Sequence, residues 1–567
     1  MLKSRNVTVR RIARFAFLAL LVFALCGAAS AQTLTCPVAS NLNVSGTLYN
    51  FASTCVVDSG VALSIASTGE LVNDGPEVVS GILINDGTIN NGGILQNQVN
   101  ETITNFGTIL NNNYLDIDQG TLTNAGTFDN FGTVTDTVTI GTLNNAGTLT
   151  NTGAMTLLDT VTNTVGAQFN NTGTLSLSGY FVEPFPGADS FTNNGTLTNF
   201  AGGVILAATV LTNNGSIINR GTFYSGGVGT AIPILTNDGT ITNYGTFTNA
   251  ALEGFPPTIY NNGTFDNFGS VDNESDFYNN AGGSVINETG ATLTVAAHFE
   301  NDGALTNNGA VTITGPLSDN GTLANNGSIA VENNGARIGG LGIYGTLTNK
   351  GSIAVNGGSL LISGGTLTNS AGSTFVQTAG QTEVDGTMNS VPAVQIQGGL
   401  LTGGGTINGN VDNSGGNVTP GFVVGPLTIN GNYTQGSNGT LTINLFGDEQ
   451  LNFLDVSDLA TLDGTLDFVA ESGFAPVAGD DFTFLFFGSL SGDFAHIDFI
   501  NWSCPTGDTC EEVVGANSLS LDITGPTSSG GGNGTSSTPE PSSLLLLVAG
   551  TLALGLISRR KRGEVIA

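Results

Sequence analysis

The middle of the chain alternates polar and apolar positions over short stretches separated by glycine. The stretch from Leu235 to Asn249 reads LTNDGTITNYGTFTN, and its apolar residues Leu235, Ile241 and Phe247 recur six positions apart. The Thr-Ile-Thr and Thr-Phe-Thr triplets each place one apolar side chain between two polar ones, which predicts short strands with one buried face. The Asn-Asp-Gly and Asn-Tyr-Gly steps between them predict turns, because Gly and Asn tolerate left-handed backbone.

The same pattern returns over a longer period. Its unit is Asn-x-Gly-Thr/Ser, an apolar residue, x, Asn, x, Gly, and successive units start 18 to 24 residues apart where none is degenerate. This is the length of one coil of a parallel β-helix, so we predict an all-β parallel solenoid over residues 74–400. Coils stacked about 4.8 Å apart would bury a continuous aliphatic column, and Asn at equivalent corners would form hydrogen-bonded ladders. The glycine pairs that mark the units are Gly126/Gly132, Gly147/Gly153, Gly215/Gly221, Gly239/Gly245, Gly263/Gly269, Gly303/Gly309, Gly321/Gly327 and Gly345/Gly351.

Longer alternations replace the repeat over residues 401–522. Examples are Leu441-Thr-Ile-Asn-Leu445 and Phe482-Thr-Phe-Leu-Phe486. This region resembles the C-terminal end of autotransporter passenger domains, in which a right-handed β-helix finishes in wider strands. The resemblance, and not the spacing, implies a right-handed coil. We expect a strand-rich cap here and a second cap over residues 32–73, where it would protect an exposed β edge.

Residues 1–31 have the layout of a secretory signal. A basic region precedes an apolar run from Phe15 to Cys26, and small residues follow. We therefore predict cleavage between Ala31 and Gln32. Lipidation at Cys26 is a weaker alternative, because a leucine precedes the cysteine where a small residue is expected. A twin-arginine signal is a second alternative, although the residues around the arginine pair match it poorly.

The tail has three ordered parts after a Gly/Ser/Thr linker over residues 523–538. The strongly apolar part, Leu544 to Ile557, has 14 residues, which is short against the roughly 20 that a stable helical span needs. A basic cluster behind it would stay cytoplasmic under the positive-inside rule. The flanking parts are the Pro-Glu-Pro motif Pro539, Glu540 and Pro541, and the cluster Arg559, Arg560, Lys561 and Arg562.

This ordered tail (residues 539–567) resembles the PEP-CTERM sorting signal of bacteria that make extracellular polysaccharide. The resemblance implies a transient transmembrane segment in the inner membrane and recognition by an exosortase, which would cut near the Pro-Glu-Pro motif. The body would then reach the surface or matrix of a Gram-negative cell. An ordinary single-span anchor is the alternative.

Charge narrows the possible partners. The chain has 12 Lys and Arg against 44 Asp and Glu, and only Arg220, Arg337 and Lys350 are basic between the two ends. Nucleic-acid binding is excluded because phosphate neutralisation needs Lys and Arg. The acidic residues keep an exported protein soluble, with Ca²⁺ binding as the alternative. The local acid groups that could bind it are Asp448, Glu449, Asp455, Asp458, Asp480 and Asp481.

Cysteine spacing favours disulfides. Four cysteines follow the predicted signal as two near pairs, Cys36 with Cys55 and Cys504 with Cys510. An even number in an exported chain predicts two disulfides in an oxidising compartment. Zinc is a weaker alternative, since neither pair has CxxC spacing and no histidine lies nearby.

The residues give little support for catalysis. Some β-helix proteins are polysaccharide lyases or hydrolases, so a carbohydrate-active enzyme is the alternative function. However, Arg220 and Lys350 share a turn position before a glycine, which suggests solvent exposure. His298 and His496 lack a Ser or Cys partner in a recognisable motif. Asn-Gly-Thr/Ser strings match the glycosylation sequon, but the repeat itself generates them.

We therefore predict no catalytic residue and no metal or cofactor site. The predicted function is that of a secreted or cell-surface structural or adhesive β-solenoid associated with an extracellular polysaccharide matrix. Its predicted partners are an exosortase, the membrane before processing, and then extracellular polysaccharide or other surface proteins.

Overall fold

The computed structural model describes residues 32–525, except 34, 36–37, 51–54, 59, 74–75, 99, 118–119, 136–140, 158–159, 179–189, 227–231, 251–255, 334–338, 422–424, 448–449 and 472. The described part contains strands and turns and no helix, as the sequence predicts. It therefore has no helix that is long and apolar enough to cross a membrane. The first compact unit of the chain ends at Thr524.

The first third of the solenoid consists of short strands, most of them four residues long. They are β1 (Gln32–Thr33), β2 (Leu42–Val44), β3 (Thr47–Asn50), β4 (Cys55–Val57), β5 (Ala62–Ile65), β6 (Glu70–Asn73), β7 (Pro76–Val79), β8 (Ile82–Asn85), β9 (Thr88–Asn91), β10 (Ile94–Asn97), β11 (Thr102–Asn105), β12 (Thr108–Asn111), β13 (Tyr114–Asp116), β14 (Thr121–Asn124), β15 (Thr127–Asn130), β16 (Thr133–Thr135), β17 (Thr142–Asn145), β18 (Thr148–Asn151), β19 (Ala154–Leu157), β20 (Thr160–Asn163), β21 (Gln168–Asn171) and β22 (Thr174–Ser178).

The middle third keeps these lengths. Its strands are β23 (Ser190–Asn193), β24 (Thr196–Asn199), β25 (Val204–Ala208), β26 (Val210–Asn213), β27 (Ser216–Asn219), β28 (Thr222–Ser225), β29 (Ile234–Asn237), β30 (Thr240–Asn243), β31 (Thr246–Asn249), β32 (Thr258–Asn261), β33 (Thr264–Asn267), β34 (Ser270–Asn273), β35 (Asp276–Asn279), β36 (Ser284–Asn287), β37 (Thr292–Val295), β38 (Phe299–Asn301), β39 (Ala304–Asn307), β40 (Ala310–Ile313), β41 (Pro316–Asp319), β42 (Thr322–Asn325), β43 (Ser328–Glu332), β44 (Gly340–Ile343) and β45 (Thr346–Asn349).

Several strands of the last third are much longer. They are β46 (Ser352–Ile362), β47 (Thr366–Asn369), β48 (Thr374–Val384), β49 (Thr387–Ser390), β50 (Val394–Ile396), β51 (Leu400–Gly403), β52 (Thr406–Asn408), β53 (Val411–Asn413), β54 (Asn417–Pro420), β55 (Gly425–Asn430), β56 (Tyr433–Gln435), β57 (Thr440–Gly447), β58 (Gln450–Leu462), β59 (Thr465–Ala470), β60 (Asp481–Gly492), β61 (His496–Ile500), β62 (Thr509–Val514) and β63 (Ser518–Thr524).

Parallel pairing organises these strands into a three-sided solenoid of about 18 turns. From β5 to β43, each strand pairs in parallel with the strand three before and three after it, so three strands make one turn. For example, β29 pairs with β26 and β32. We call the three sides the A, B and C faces after the successive strands β29, β30 and β31. The predicted parallel β-solenoid is confirmed.

The apolar residue of each triplet points into the solenoid. Leu235, Ile241 and Phe247 come from the A, B and C faces of one turn and are at most 1% exposed. Equivalent residues stack along the axis, as where the rings of Phe223 and Phe247 lie 4.8 Å apart and nearly parallel. Each fully buried side chain of this size stabilises the fold by about 1.5–3 kcal/mol. The predicted apolar column is confirmed.

Most of the Asn residues of the repeat lie inside the solenoid, at the ends of strands. Asn213 Nδ2 donates to Asn237 Oδ1 at 2.7 Å, and Asn237 Nδ2 donates to Asn261 Oδ1 at 2.7 Å. The same bond links every successive turn of the A face from Asn85 to Asp319, and every successive turn of the B face from Asn50 to Ser390. We call these chains of bonds the A and B ladders; they confirm the predicted Asn ladders.

The prediction that the repeat glycines are needed for left-handed backbone was wrong. Gly239 and Gly245 do not have left-handed backbone. Instead, each passes directly over the preceding turn, and a Cβ at Gly239 would collide with the carbonyl oxygen of Gly215. Gly245 has the same relation to Gly221. Close approach of the backbone between turns, and not a positive φ, excludes side chains here.

The C-terminal end departs from the three-strand turn. The strands β46 and β48 have 11 residues each and extend over the C and A faces without a break. Further on, β58 and β60 have 13 and 12 residues. Antiparallel pairing of β60 with β63, and of β63 with β62, ends the solenoid. Wide strands therefore occur in the region predicted to be strand-rich, and they begin earlier, at Ser352.

Candidate binding surfaces

The predicted sorting signals lie almost wholly outside the described residues. This applies to Ala31 and to the tail residues Pro539, Glu540, Pro541, Arg559, Arg560, Lys561 and Arg562. Gln32, the predicted mature N-terminus, begins β1, which pairs in parallel with β3. The surfaces that the structure can assign to a function therefore belong to the body of the chain.

One predicted disulfide is confirmed. Cys504, in the connection between β61 and β62, is bonded to Cys510 of β62, with Cα atoms 5.9 Å apart. Cys55 is buried and disulfide-bonded, while its predicted partner Cys36 lies outside the described residues. The cysteine spacing, which favoured disulfides over zinc, therefore predicted the Cys504–Cys510 bond correctly.

Arg220 and Lys350 lie at a solvent-exposed corner, as predicted. The Arg220 guanidinium lies 4.3 Å from the ring centroid of Tyr244 in the next turn. The Tyr244 ring stacks in turn on Phe268, with centroids 4.9 Å apart. Lys350 is exposed at the same corner further along, and Arg337 lies outside the described residues. Because Tyr244 has neighbours on both ring faces, its ring offers no open aromatic platform for a sugar.

A polar patch occupies the A face between β32 and β38. Tyr260 and Tyr278 stack with centroids 5.3 Å apart, and His298 lies 5.3 Å from Tyr278. His298 Nδ1 is 4.0 Å from Asp276 Oδ1, which is too far for a hydrogen bond. Burial, with a smaller contribution from the Asp276 charge, raises the pKa of Tyr278. The sequence could not show that Asp276 and Tyr278 are the neighbours of His298.

Those acidic residues proposed for Ca²⁺ that the structure describes form no metal-binding group. Asp455 and Asp458 lie along β58, Asp480 Oδ2 accepts a bond from Val477 N, and Asp448 and Glu449 lie outside the described residues. In the part of the chain that the structure describes, no three His, Cys, Asp or Glu side chains are arranged to hold a metal ion.

Three carboxylates instead form a row across the terminal antiparallel strands. Asp522 of β63 lies opposite Asp481 of β60 and opposite Glu511 of β62. Burial raises the pKa of Asp522, and the charges of Asp481 and Glu511 raise it further. Like charges directly across a sheet destabilise it, so this row is a source of pH sensitivity and not a ligand cage.

The A ladder ends at a buried carboxyl group. Asp319 Oδ1 accepts a 2.6 Å bond from Asn301 Nδ2, while its other oxygen, Oδ2, has no hydrogen-bond partner. The next A-face residue in the column is Ile343, which cannot accept a bond. Desolvation by burial raises the pKa of Asp319 to about 7, although the bond from Asn301 opposes this shift.

The corner between the C and A faces carries the variable connections. The other two corners are two-residue turns through most of the repeat, as at Asp238-Gly239 and Tyr244-Gly245. At the C–A corner the connection is one residue between β25 and β26, eight between β28 and β29, and 11 between β22 and β23. Insertions in repeat proteins map to one side of the solenoid, which is often the binding side.

A small apolar cavity also lies at the C–A corner. It is lined by Ile117, Leu143, Leu157 and Val161 together with Gly141, Thr142 and Thr160. None of these lining side chains titrates in the physiological range, so they provide no acid or base.

Neither a model of a known protein family nor any curated protein matches this chain. The similarity of the tail to a sorting signal and of residues 401–522 to autotransporter passengers therefore remains a hypothesis from sequence. The function has to be argued from the solenoid and its surfaces.

Proposed function

We propose that the protein is an exported structural or adhesive rod that an exosortase sorts to the cell surface, where it associates with extracellular polysaccharide. The observation that carries this proposal is the B ladder, which links every turn from Asn50 to Ser390 without interruption. A solenoid whose turns are hydrogen-bonded to one another along its whole axis is suited to act as a stiff spacer.

The interior supports the role of a stiff spacer. Each ladder bond contributes about 0.5–1.5 kcal/mol net, and the ladders act together with the apolar column beside them. At about 4.8 Å per turn, 18 turns extend roughly 85 Å. Because stability is distributed over neighbouring turns, such a unit can hold its outer surface at a distance from the cell.

The surface supports an extracellular setting. The chain has a formal net charge of −32, which opposes self-association of the rods and keeps them soluble. The Cys504–Cys510 disulfide fits an oxidising compartment. The variable C–A corner is the side on which adhesive contacts to the matrix are expected.

Mass spectrometry of the mature protein tests the sorting step. We expect a new C-terminus near Thr538–Pro541 in protein recovered from the cell surface or medium. A Pro539→Ala/Pro541→Ala variant should retain its tail and stay with the membrane, whereas Pro526→Ala, a matched change in the linker, should be processed normally. Recovery of surface protein with Arg559–Arg562 intact would contradict sorting.

Incubation with the producing cell's own exopolysaccharide tests the structural role. We expect the protein to co-sediment with the polymer and to release no new reducing ends. Time-dependent release of oligosaccharides would contradict a structural role and favour a carbohydrate-active enzyme.

A further inference from the structure

A grid of threonines covers the A face from β11 to β29. At the two outward positions of these seven strands, ten of the 14 residues are Thr, and none is Asp, Glu, Lys, Arg or aromatic. We call these 14 positions the threonine face. They are Thr102 and Thr104, Thr121 and Thr123, Thr142 and Asn144, Thr160 and Thr162, Ser190 and Thr192, Val210 and Thr212, and Ile234 and Thr236.

The backbone holds this grid in strict register. Thr102 pairs with Thr121, Thr121 with Thr142 and Thr142 with Thr160, and no bulge interrupts the parallel pairing between β11 and β29. Neighbouring strands lie about 4.8 Å apart, and the two outward positions of one strand lie roughly 6.6 Å apart. Because β-branched side chains have restricted χ1, the methyl and hydroxyl groups are presented with little conformational freedom.

The absence of charge on this face is local. The next turns of the A face carry Asp276, His298 and Glu300, while Asp129 and Asp266 interrupt the B face. The whole chain has 44 acidic residues. Strand propensity explains threonine on all three faces. The C face is also free of Asp, Glu, Lys and Arg from β16 to β31, but Leu206 and Tyr224 interrupt its threonines. The A face has the longest uncharged run without an aromatic ring among the described strands.

The composition and size of the threonine face exclude several partners. A neutral grid does not select a charged polymer. It lacks the aromatic rings that stack on sugars. At roughly 30 by 10 Å, its area is also smaller than the ~800 Å² that each partner buries in a stable protein–protein interface. A flat, uncharged crystalline surface is a better match. It needs no complementary curvature, and its own repeat can coincide with the spacing of the threonines.

We propose that the threonine face binds ice. The oxygen repeats on the prism surface of hexagonal ice lie close to both spacings of the grid, so hydroxyl groups and the water held between methyl groups can continue the lattice. Each contact is weak, and affinity comes from many contacts formed at once by a surface that is already ordered. This inference does not depend on the proposed sorting or on polysaccharide association.

Ice affinity provides the test. Protein purified from cells that express the full chain would be labelled and exposed to a slowly growing ice surface, and inhibition of ice recrystallisation would be measured in parallel. We expect enrichment in ice and inhibition by the wild type. A Thr123→Lys/Thr162→Lys variant should lose at least tenfold in both, because the added side chains hold the lattice away from the grid.

The matched control is Thr248→Lys/Thr294→Lys, which makes the same change at two half-exposed outward positions of the C face. It should retain wild-type ice activity, and thermal melting should show that both variants are folded. Exclusion of the wild type from ice, or equal loss in the two variants, would overturn the proposal. So would sedimentation showing that the threonine face forms a dimer, or preferential binding to a crystalline neutral polysaccharide.

Discussion

The A–B and C–A corners of the solenoid follow different rules. At the A–B corner, Asn237 Nδ2 donates both to Asn261 and to the backbone oxygen of Thr264, at 2.7 and 2.9 Å. A ladder residue thus ties the end of an A-face strand to the start of the B-face strand one turn later, which keeps the turn before that B-face strand at two residues. At the C–A corner the equivalent buried positions are mostly aliphatic, as at Leu157 and Ile313, and connections of many lengths occur. Hydrogen bonds from ladder residues therefore fix the length of a turn, whereas an apolar residue at the end of a strand allows the following connection to vary in length.

An insertion is the strongest test of this difference. A Gly-Ser pair inserted between Asp238 and Gly239 should displace the equivalent bond one turn earlier, from Asn213 Nδ2 to the Thr240 backbone oxygen, and shift the stacked glycine. Together these changes would remove at least ~5 kcal/mol from the free energy of unfolding. The same pair inserted in the eight-residue connection between β28 and β29 should cost below ~1 kcal/mol, because loop closure depends weakly on length. Urea unfolding monitored by circular dichroism measures both. Equal costs would contradict the comparison.

The second prediction concerns Asp319, where the A ladder meets an aliphatic column. Its pKa in the folded protein is about 7, against 3.8 for the ordinary carboxyl group. Asp319 therefore contributes stability that is fully present below about pH 4 and is lost as pH rises through 7. Asp319→Asn should remove this loss and be more stable than wild type at pH 8, by on the order of 4 kcal/mol at most.

Thermal unfolding at pH 4.5 and pH 8 measures this effect. Comparing the two proteins at each pH isolates Asp319, since carboxyl groups such as Asp522 are present in both. Asp302→Asn, which changes an exposed carboxylate at the neighbouring A–B turn, is the control and should shift stability by less than about 0.5 kcal/mol at either pH. If the stability of Asp319→Asn varied with pH as that of the wild type does, the last residue of the A ladder would not need to be uncharged.

The third prediction compares a long ladder with a short one. Asn237→Leu leaves Asn213 Nδ2 without one acceptor and Asn261 Oδ1 without its donor, so we expect a loss of about 3 kcal/mol. Asn249→Leu on the C face breaks a single ladder link, to Asn273, because Asn249 Oδ1 already lacks a donor, and it also removes the bond to the Asp276 backbone oxygen. It should cost roughly half as much in the same urea titration. A larger cost at Asn249 would mean that the ladders do not carry the directional stability.

The sequence predicted the parts of this molecule that depend on local pattern. Alternation around Ile241 showed which side chains are buried, and the excess of Asn suggested ladders. The glycines were misinterpreted because close approach between turns is a tertiary contact that resembles a turn signal in sequence. The threonine face and the pair Asp276 and His298 were missed, because C–A connections of unequal length hide which residues of successive turns are neighbours. Only the register of the strands aligns them.

The smallest expected effect is on the exposed B–C corner, where contacts lie outside the ladder. Tyr244→Ala removes the stack on Phe268 and the Arg220 contact, which together should contribute about 1 kcal/mol. Tyr344→Ala is the matched control, since Tyr344 is similarly exposed at the A–B corner and stacks on no ring among the described residues. It should cost less than half as much. If both variants unfold at the same urea concentration as wild type, the stability of each turn comes from its interior alone. The residues at the outer corners could then vary with the binding partner without loss of stability.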